Sequence, residues 1–180
     1  MAPKTKTKAK AKAKTKAKAK AKAKPKVKAV PIGYETITPY ITVEGAAKAL
    51  DFYKKAFGAK ETMRLPSPDG KIGHAEISIG KAHIMLSDEF IEMGAKAPGT
   101  VGGSPVLLHL YVENVDAAFK RAKKAGATVT RPLADMFYGD RGGQLLDPFG
   151  HKWWLASRIE DVSDKEMQRR LAKMGEEQKK

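Results

Sequence analysis

One structural phrase occurs twice in this chain, and that repetition limits the folds open to it more than any other feature. Val43-Glu44-Gly45-Ala46-Ala47-Lys48-Ala49-Leu50, followed by Lys54-Lys55-Ala56-Phe57-Gly58-Ala59, returns loosely further on. The second copy is Val112-Glu113-Asn114-Val115-Asp116-Ala117-Ala118-Phe119 with Lys123-Lys124-Ala125-Gly126-Ala127. Each copy reads strand, amphipathic helix, glycine stop, then further strands. An internal repeat sets architecture before any local reading does. Two such halves build a paired fold, and the residues lining the space between them decide the chemistry.

The local signals fill in each half. Tyr34 to Val43 is rich in β-branched and aromatic residues and predicts a strand. From Gly45 to Phe57 the apolar period becomes helical, with Ala46, Ala49, Leu50, Tyr53, Ala56 and Phe57 on one face, and Gly58 stops it. Strands are expected at Lys60 to Leu65, Ile72 to Ile79 and Ala82 to Ser87, with a turn at Pro66-Ser67-Pro68-Asp69-Gly70. Phe90 to Ser104, with Gly94, Pro98, Gly99, Gly102 and Gly103, reads as a linker. The second half repeats the order. A strand is expected over Pro105 to Val112, and a helix marked by Val115, Ala118, Phe119 and Ala122 ends at Gly126. Strands follow at Thr128 to Leu133, Gln144 to Leu146 and Lys152 to Ser157, and Tyr138-Gly139-Asp140-Arg141-Gly142-Gly143 reads as a glycine-rich loop. Ser163 with Glu166 forms a capping box before a last helix carrying Met167, Leu171 and Met174 on one narrow stripe. That stripe is expected to dock on the body or across a dimer interface.

The fold class is therefore α+β: two tandem βαβββ modules forming cupped mixed sheets. The expected divisions are a tail at 1–31, a first module at 32–88, a linker at 89–104, a second module at 105–160 and a C-terminal helix at 161–180.

Charge separates the tail from the rest. The net charge of +15 is carried by 13 lysines at alternate positions from Lys4 to Lys28, and the remainder holds 22 basic against 20 acidic residues. The Lys-Ala and Lys-Thr dipeptides offer nothing to bury and repel one another, which predicts disorder. Such a tail can associate with nucleic acid or another polyanion through phosphate neutralisation without reading sequence. Aromatics and arginines for stacking or base readout are missing from it. With no cysteine, thiolate metal sites, disulfides and cysteine nucleophiles are excluded. The composition suits a cytoplasmic protein. No apolar run approaches the roughly 20 residues of a membrane helix.

Two βαβββ halves, with Val112-Glu113-Asn114-Val115-Asp116 entering the second helix and Asp147-Pro148-Phe149-Gly150-His151-Lys152-Trp153-Trp154 entering the last strand, resemble the vicinal oxygen chelate superfamily. That superfamily includes glyoxalase I, bleomycin- and fosfomycin-resistance proteins and extradiol dioxygenases. Pro39-Tyr40-Ile41-Thr42-Val43, Gly73-His74-Ala75-Glu76 and Tyr138-Gly139-Asp140-Arg141 are most similar to its PhnB-like branch. The resemblance implies a glyoxalase-like fold, and in metal-using members one ligand on the first and one on the last strand of each half. Counting through the repeat puts these positions at Thr38, Met85, Leu107 and Trp154, none a usual metal ligand beyond the weak hydroxyl of Thr38. A one-residue slip, which exchanges strand faces, restores none: the neighbours are all Ile, Leu, Val, Pro or Trp.

Other residues then carry whatever chemistry there is. His109 lies two residues beyond Leu107, on the same face, and the repeat gives Tyr40 as its counterpart. His74 and Glu76 share a strand face. His109 and Glu76 are the candidates for acid–base work, and His74, Glu76 and His109 the trio for a displaced metal. Trp154 offers a stacking wall, with Tyr138 and Arg141 as further ligand contacts; Arg141 pairs with Asp140 or with an anionic ligand. The balance favours a homodimeric binder of a small organic molecule, with no cofactor and no metal, over an enzyme. The alternatives are a metal-dependent lyase or dioxygenase, an isomerase, and a protein acting through its lysine-rich tail.

Overall fold

Residues 28–177, apart from 32 and 35, are described in the computed structural model of the chain. The tail up to residue 27, where disorder is expected, lies outside the described residues, as does 178–180. The first half runs β1 (Tyr40–Val43), α1 (Ala46–Phe57), β2 (Lys60–Pro66), β3 (Ile72–Ile79) and β4 (Ala82–Asp88). A 3-10 turn at Ile91–Met93 and the short α2 (Pro98–Val101) interrupt the linker. The second half runs β5 (Leu107–Tyr111), α3 (Val115–Ala125), β6 (Thr128–Asp135), β7 (Asp140–Leu146) and β8 (Lys152–Arg158), and α4 (Asp164–Glu177) follows.

Each half forms a four-stranded mixed sheet, ordered β1-β4-β3-β2 and β5-β8-β7-β6. The first strand pairs parallel to the last, and the other neighbours are antiparallel. The helix between first and second strands supplies the crossover that a parallel pair requires. Alternation then divides each sheet. Ile41, Val43, Ala75, Ile77, Ile84 and Leu86 face inward from one, Leu145, Trp153 and Leu155 from the other, and all join one core with α1 and α3.

Buried polar groups fix how these pieces meet. Asp88, at the end of β4, accepts the backbone N–H groups of Gly45 and Ala46 at 2.9 and 2.7 Å and of Ile72 at 2.7 Å, capping α1 from the neighbouring strand. Ser157 holds the matching place on β8 and accepts Val115 N–H at 2.9 Å, while the Asn114 side chain accepts Ala117 N–H. Across the halves, Asp147 accepts the Tyr53 hydroxyl at 2.8 Å and the Trp153 indole N–H at 2.9 Å on one oxygen. Its other oxygen takes the backbone N–H groups of Phe149 and His151, both at 2.9 Å. His151 in turn donates from Nε2 to the carbonyl of Thr42 at 2.9 Å. The turn of the second half is thereby pinned to both the helix and the first strand of the first half.

Three segments differ from the sequence expectation. The first strand begins at Tyr40, not Tyr34, because Gly33 adopts φ 91° and Tyr34 turns its side chain onto the sheet. The supposed glycine-rich loop is largely strand β7. Its glycines leave room for close neighbours: a Cβ on Gly142 would lie 2.7 Å from Trp154 Nε1, and one on Gly143 3.0 Å from the Arg131 carbonyl. Strand β6 runs two residues past its expected end at Leu133, to Asp135, and takes up Pro132 as an edge strand with two register shifts. Helix α4 starts at the expected cap, Glu166 N–H meeting Ser163 Oγ at 3.3 Å. It is tied to the body by Arg170, which pairs with Glu160 at 2.7 Å and reaches the Phe137 carbonyl, rather than by its apolar stripe; Leu171 and Met174 stay exposed.

Replacing Tyr53 with Phe removes one of two donors from a buried Asp147 oxygen and keeps the ring. Urea unfolding should show a loss of about 1–3 kcal/mol with an unchanged denaturant slope; unchanged stability would contradict the pinning role.

Candidate functional site

Strand alternation leaves one face of each sheet free of the core, and the repeat builds the same cross-strand rung on both. In the first sheet Glu76 pairs with Met85, and Met85 with Tyr40. In the second, Gln144 pairs with Trp154, and Trp154 with His109. Tyr40 and His109 are therefore equivalent, as the sequence repeat indicates. Gln144, equivalent to Glu76, escapes the sequence reading because it lies next to the segment taken for a loop. Its signal was the repeat itself: once Trp154 is matched to Met85, its cross-strand partner follows.

On the first face a hydrogen-bond chain runs Tyr40 Oη to His74 Nδ1 at 3.2 Å, then His74 Nε2 to Glu76 Oε1 at 3.2 Å. Tyr34 donates its hydroxyl to the other Glu76 oxygen and stacks on His83, ring centroids 4.8 Å apart. An ionised Glu76 only accepts, so His74 donates from Nε2. A neutral ring then accepts from Tyr40 at Nδ1. The Tyr34 hydrogen bond, with a smaller contribution from His74, holds the Glu76 carboxyl below its ordinary range although the residue is only 6% exposed. Glu76, Met85, Thr38 and the segment around Tyr34 line a cavity of about 460 Å³.

The second face carries different chemistry. Leu107, His109, Arg131, Tyr138, Gln144 and Trp154 line a cavity of about 360 Å³. Trp154 lies over Gly142 with only 8% of its surface exposed, whereas His109 is exposed and lies tilted by 31° against Tyr111, ring centroids 4.6 Å apart. Of the expected contacts, Tyr138 joins this cavity and Arg141 does not. Arg141 turns to the α3 side, where it binds Asp116 through two nitrogens at 2.8 and 2.9 Å and Asp135 at 2.9 Å. Asp140, expected as its partner, instead accepts the Tyr111 hydroxyl at 2.7 Å. Arg131 had no sequence motif, and the fold alone brings it here.

The four positions that the resemblance marks for metal ligands sit on these faces. Thr38 and Met85 line the first cavity, Leu107 and Trp154 the second. One hydroxyl, one thioether, an alkyl chain and an indole do not fit a divalent cation. The displaced trio is not assembled either: His74 and Glu76 stand on β3, His109 on β5 of the other sheet, and Glu76 and His109 line different cavities. Among the described residues no group of three His, Cys, Asp or Glu is placed to hold a metal ion.

The sequence profile of the glyoxalase/bleomycin resistance protein/dioxygenase superfamily matches residues 34–155, and the chain belongs to that superfamily. The uncharacterized protein Rv0887c of Mycobacterium tuberculosis is 45% identical over 143 residues, which is 78% of this chain and 84% of that protein. Among solved structures, TioX from Micromonospora sp. ML1 matches with TM-score 0.55 and 23% identity, covering 72% of this chain and 100% of that one. A PhnB protein from Bacillus cereus matches with TM-score 0.53 and 20% identity, covering 68% and 99%. These two likenesses establish a shared fold. No helix among the described residues is long and apolar enough to cross a membrane.

A carboxyl whose folded pKa is depressed adds stability above its unfolded value near 4.3, and that stability is lost as pH falls through the folded value. Tyr34→Phe removes the larger cause of the depression. Carboxyl-carbon NMR should show Glu76 titrating at higher pH in the variant, and the stability gap to wild type should narrow below pH 4. An unmoved Glu76 titration would break the assignment.

Proposed function

We propose that this chain is a metal-independent binder of a small organic molecule, acting as a homodimer whose exposed sheet faces enclose the ligand. The observation that carries this reading is the pair of matching rungs, Glu76–Met85–Tyr40 and Gln144–Trp154–His109. Each places polar groups beside a soft or aromatic side chain, Met85 or Trp154, at a position that the resemblance marks for a metal ligand. A wall of indole with a few convergent polar groups suits an organic ring system. Resemblance to bleomycin-resistance proteins adds sequestration as the mode, with no chemical step required.

The dimer follows from what the fold leaves uncovered. Both helices and both inner sheet faces are spent on the one core, yet Tyr40, Met63 and Leu65 on the first outer face and Leu107 and Tyr111 on the second remain 42–60% exposed. Apolar side chains gathered on such faces favour a protein partner, and a second copy supplies the complementary face.

A second reading rests on the Tyr40–His74–Glu76 chain, which can shuttle a proton as an isomerase would. Among the described residues no electrophilic stabiliser lines the cavity beside that chain.

Light scattering on the full chain should give twice the monomer mass. In a calorimetric screen of organic ligands, affinity should survive excess EDTA and fall at least about tenfold on Trp154→Leu, the loss of one stacking wall. A monomer, or binding that vanishes with EDTA and returns with a divalent ion, would overturn the proposal.

A further inference from the structure

The rung on the second outer face extends one strand beyond Gln144. Arg131, on edge strand β6, pairs with Gln144, so the full rung reads Arg131–Gln144–Trp154–His109. Its counterpart on the first sheet is Met63–Glu76–Met85–Tyr40. A register shift stands on each side of Arg131. Bulges of this kind bend a strand and re-aim its side chains, and Arg131 joins Gln144 and Trp154 in lining the cavity of about 360 Å³.

The guanidinium so placed is unlike the others. Among the described residues, Arg64, Arg141, Arg158, Arg169 and Arg170 each bind a carboxylate, and Arg121 binds the Ala56 carbonyl. Arg131 alone of the arginines there has no acceptor. The buried Trp154 indole N–H also lacks one. Among the described residues no carboxylate lines this cavity. Asp140, on the same sheet face, accepts the Tyr111 hydroxyl, and Asp135 is taken by Arg141. Burial, and then the charge of Asp140, raise the Tyr138 phenol above its ordinary value, so it stays a donor.

We propose that this cavity is a subsite for aromatic carboxylates, with Arg131 and Gln144 holding the carboxylate and Trp154 bounding the ring. The inference rests on the organic-binder reading above and names its ligand class. A guanidinium keeps its charge at every working pH, and its planar fork matches the two oxygens of a carboxylate. The Gln144 amide, next to it across the ladder, adds a neutral donor. The Asp140 charge felt at Tyr138 disfavours an anion at that end, which leaves the Arg131 edge for the carboxylate and the indole for the ring. The first face rejects the same ligand, because its rung has Met63 in place of the cation and the Glu76 carboxylate in place of the amide.

The test uses the full chain, with 2-naphthoate as probe, 2-naphthamide as its uncharged counterpart and acetate as the anion without a ring. Calorimetry reads affinity, and the Trp154 indole N–H NMR signal reads location. Wild type should bind 2-naphthoate at least about tenfold more tightly than either comparison ligand, as one charge-assisted pair implies. Arg131→Gln should bring 2-naphthoate down to the level of 2-naphthamide, whereas Arg169→Gln, on α4, should leave it unchanged. The Trp154 signal should shift on saturation. Equal affinity for 2-naphthoate and 2-naphthamide in wild type, a comparison that needs no variant, would overturn the proposal. So would no binding of 2-naphthoate, full affinity in Arg131→Gln, or an unmoved Trp154 signal. Each of these leaves standing any uncharged ligand found in the organic screen; only the failure of that whole screen removes the binder reading itself.

Discussion

Everything else in this molecule depends on the two halves sharing one core through α1 and α3. Their buried positions include Ala46, Ala49 and Ala56 on one helix and Ala118 and Ala122 on the other, side chains small enough for close approach. Arg121 crosses between them to the Ala56 carbonyl at 3.0 Å. Asp147 then joins helix, turn and last strand with four hydrogen bonds in a dry interior, where an unpaired carboxylate would be costly. Since the apolar stripe of each helix and the inner face of each sheet are consumed in this way, the period of two along each strand assigns the remaining residues outward.

That division makes the two outer faces chemically unlike. The first presents a carboxylate, one imidazole and two phenols in one hydrogen-bonded chain, and its charge favours neutral donors. The second presents guanidinium, amide and imidazole beside an indole, and can meet acceptors. In the proposed binder, a molecule between two such faces would meet opposite hydrogen-bonding character at its two ends.

Much of this was legible in the sequence because period and punctuation are local. The repeat located both helices to within a residue or two, Gly58 and Gly126 ended them, and the equivalence of Tyr40 with His109 followed from counting. What escaped depends on contacts distant along the chain. Gly142 and Gly143 read as a loop because nothing local reveals that Trp154 and the β6 backbone need their missing side chains. Arg141 looked like a ligand contact until Asp116 and Asp135, from helix and strand, captured it. Tyr34 read as strand because its β-propensity is genuine, yet its phenol found Glu76 some forty residues away and drew the chain off the ladder. The trio of His74, Glu76 and His109 failed as a unit for the same reason: residue type was visible, sheet membership was not.

The central claim is that the outer-face positions the resemblance marks for metal ligands carry side chains unable to hold a cation. The most direct measurement is an anomalous-difference map from crystals of the full chain soaked in manganese. The account predicts no peak within bonding distance of Thr38, Met85, Leu107 or Trp154, nor of Glu76 and His109. A full-occupancy peak bonded by side chains from both sheets, in one copy or across two, would contradict it.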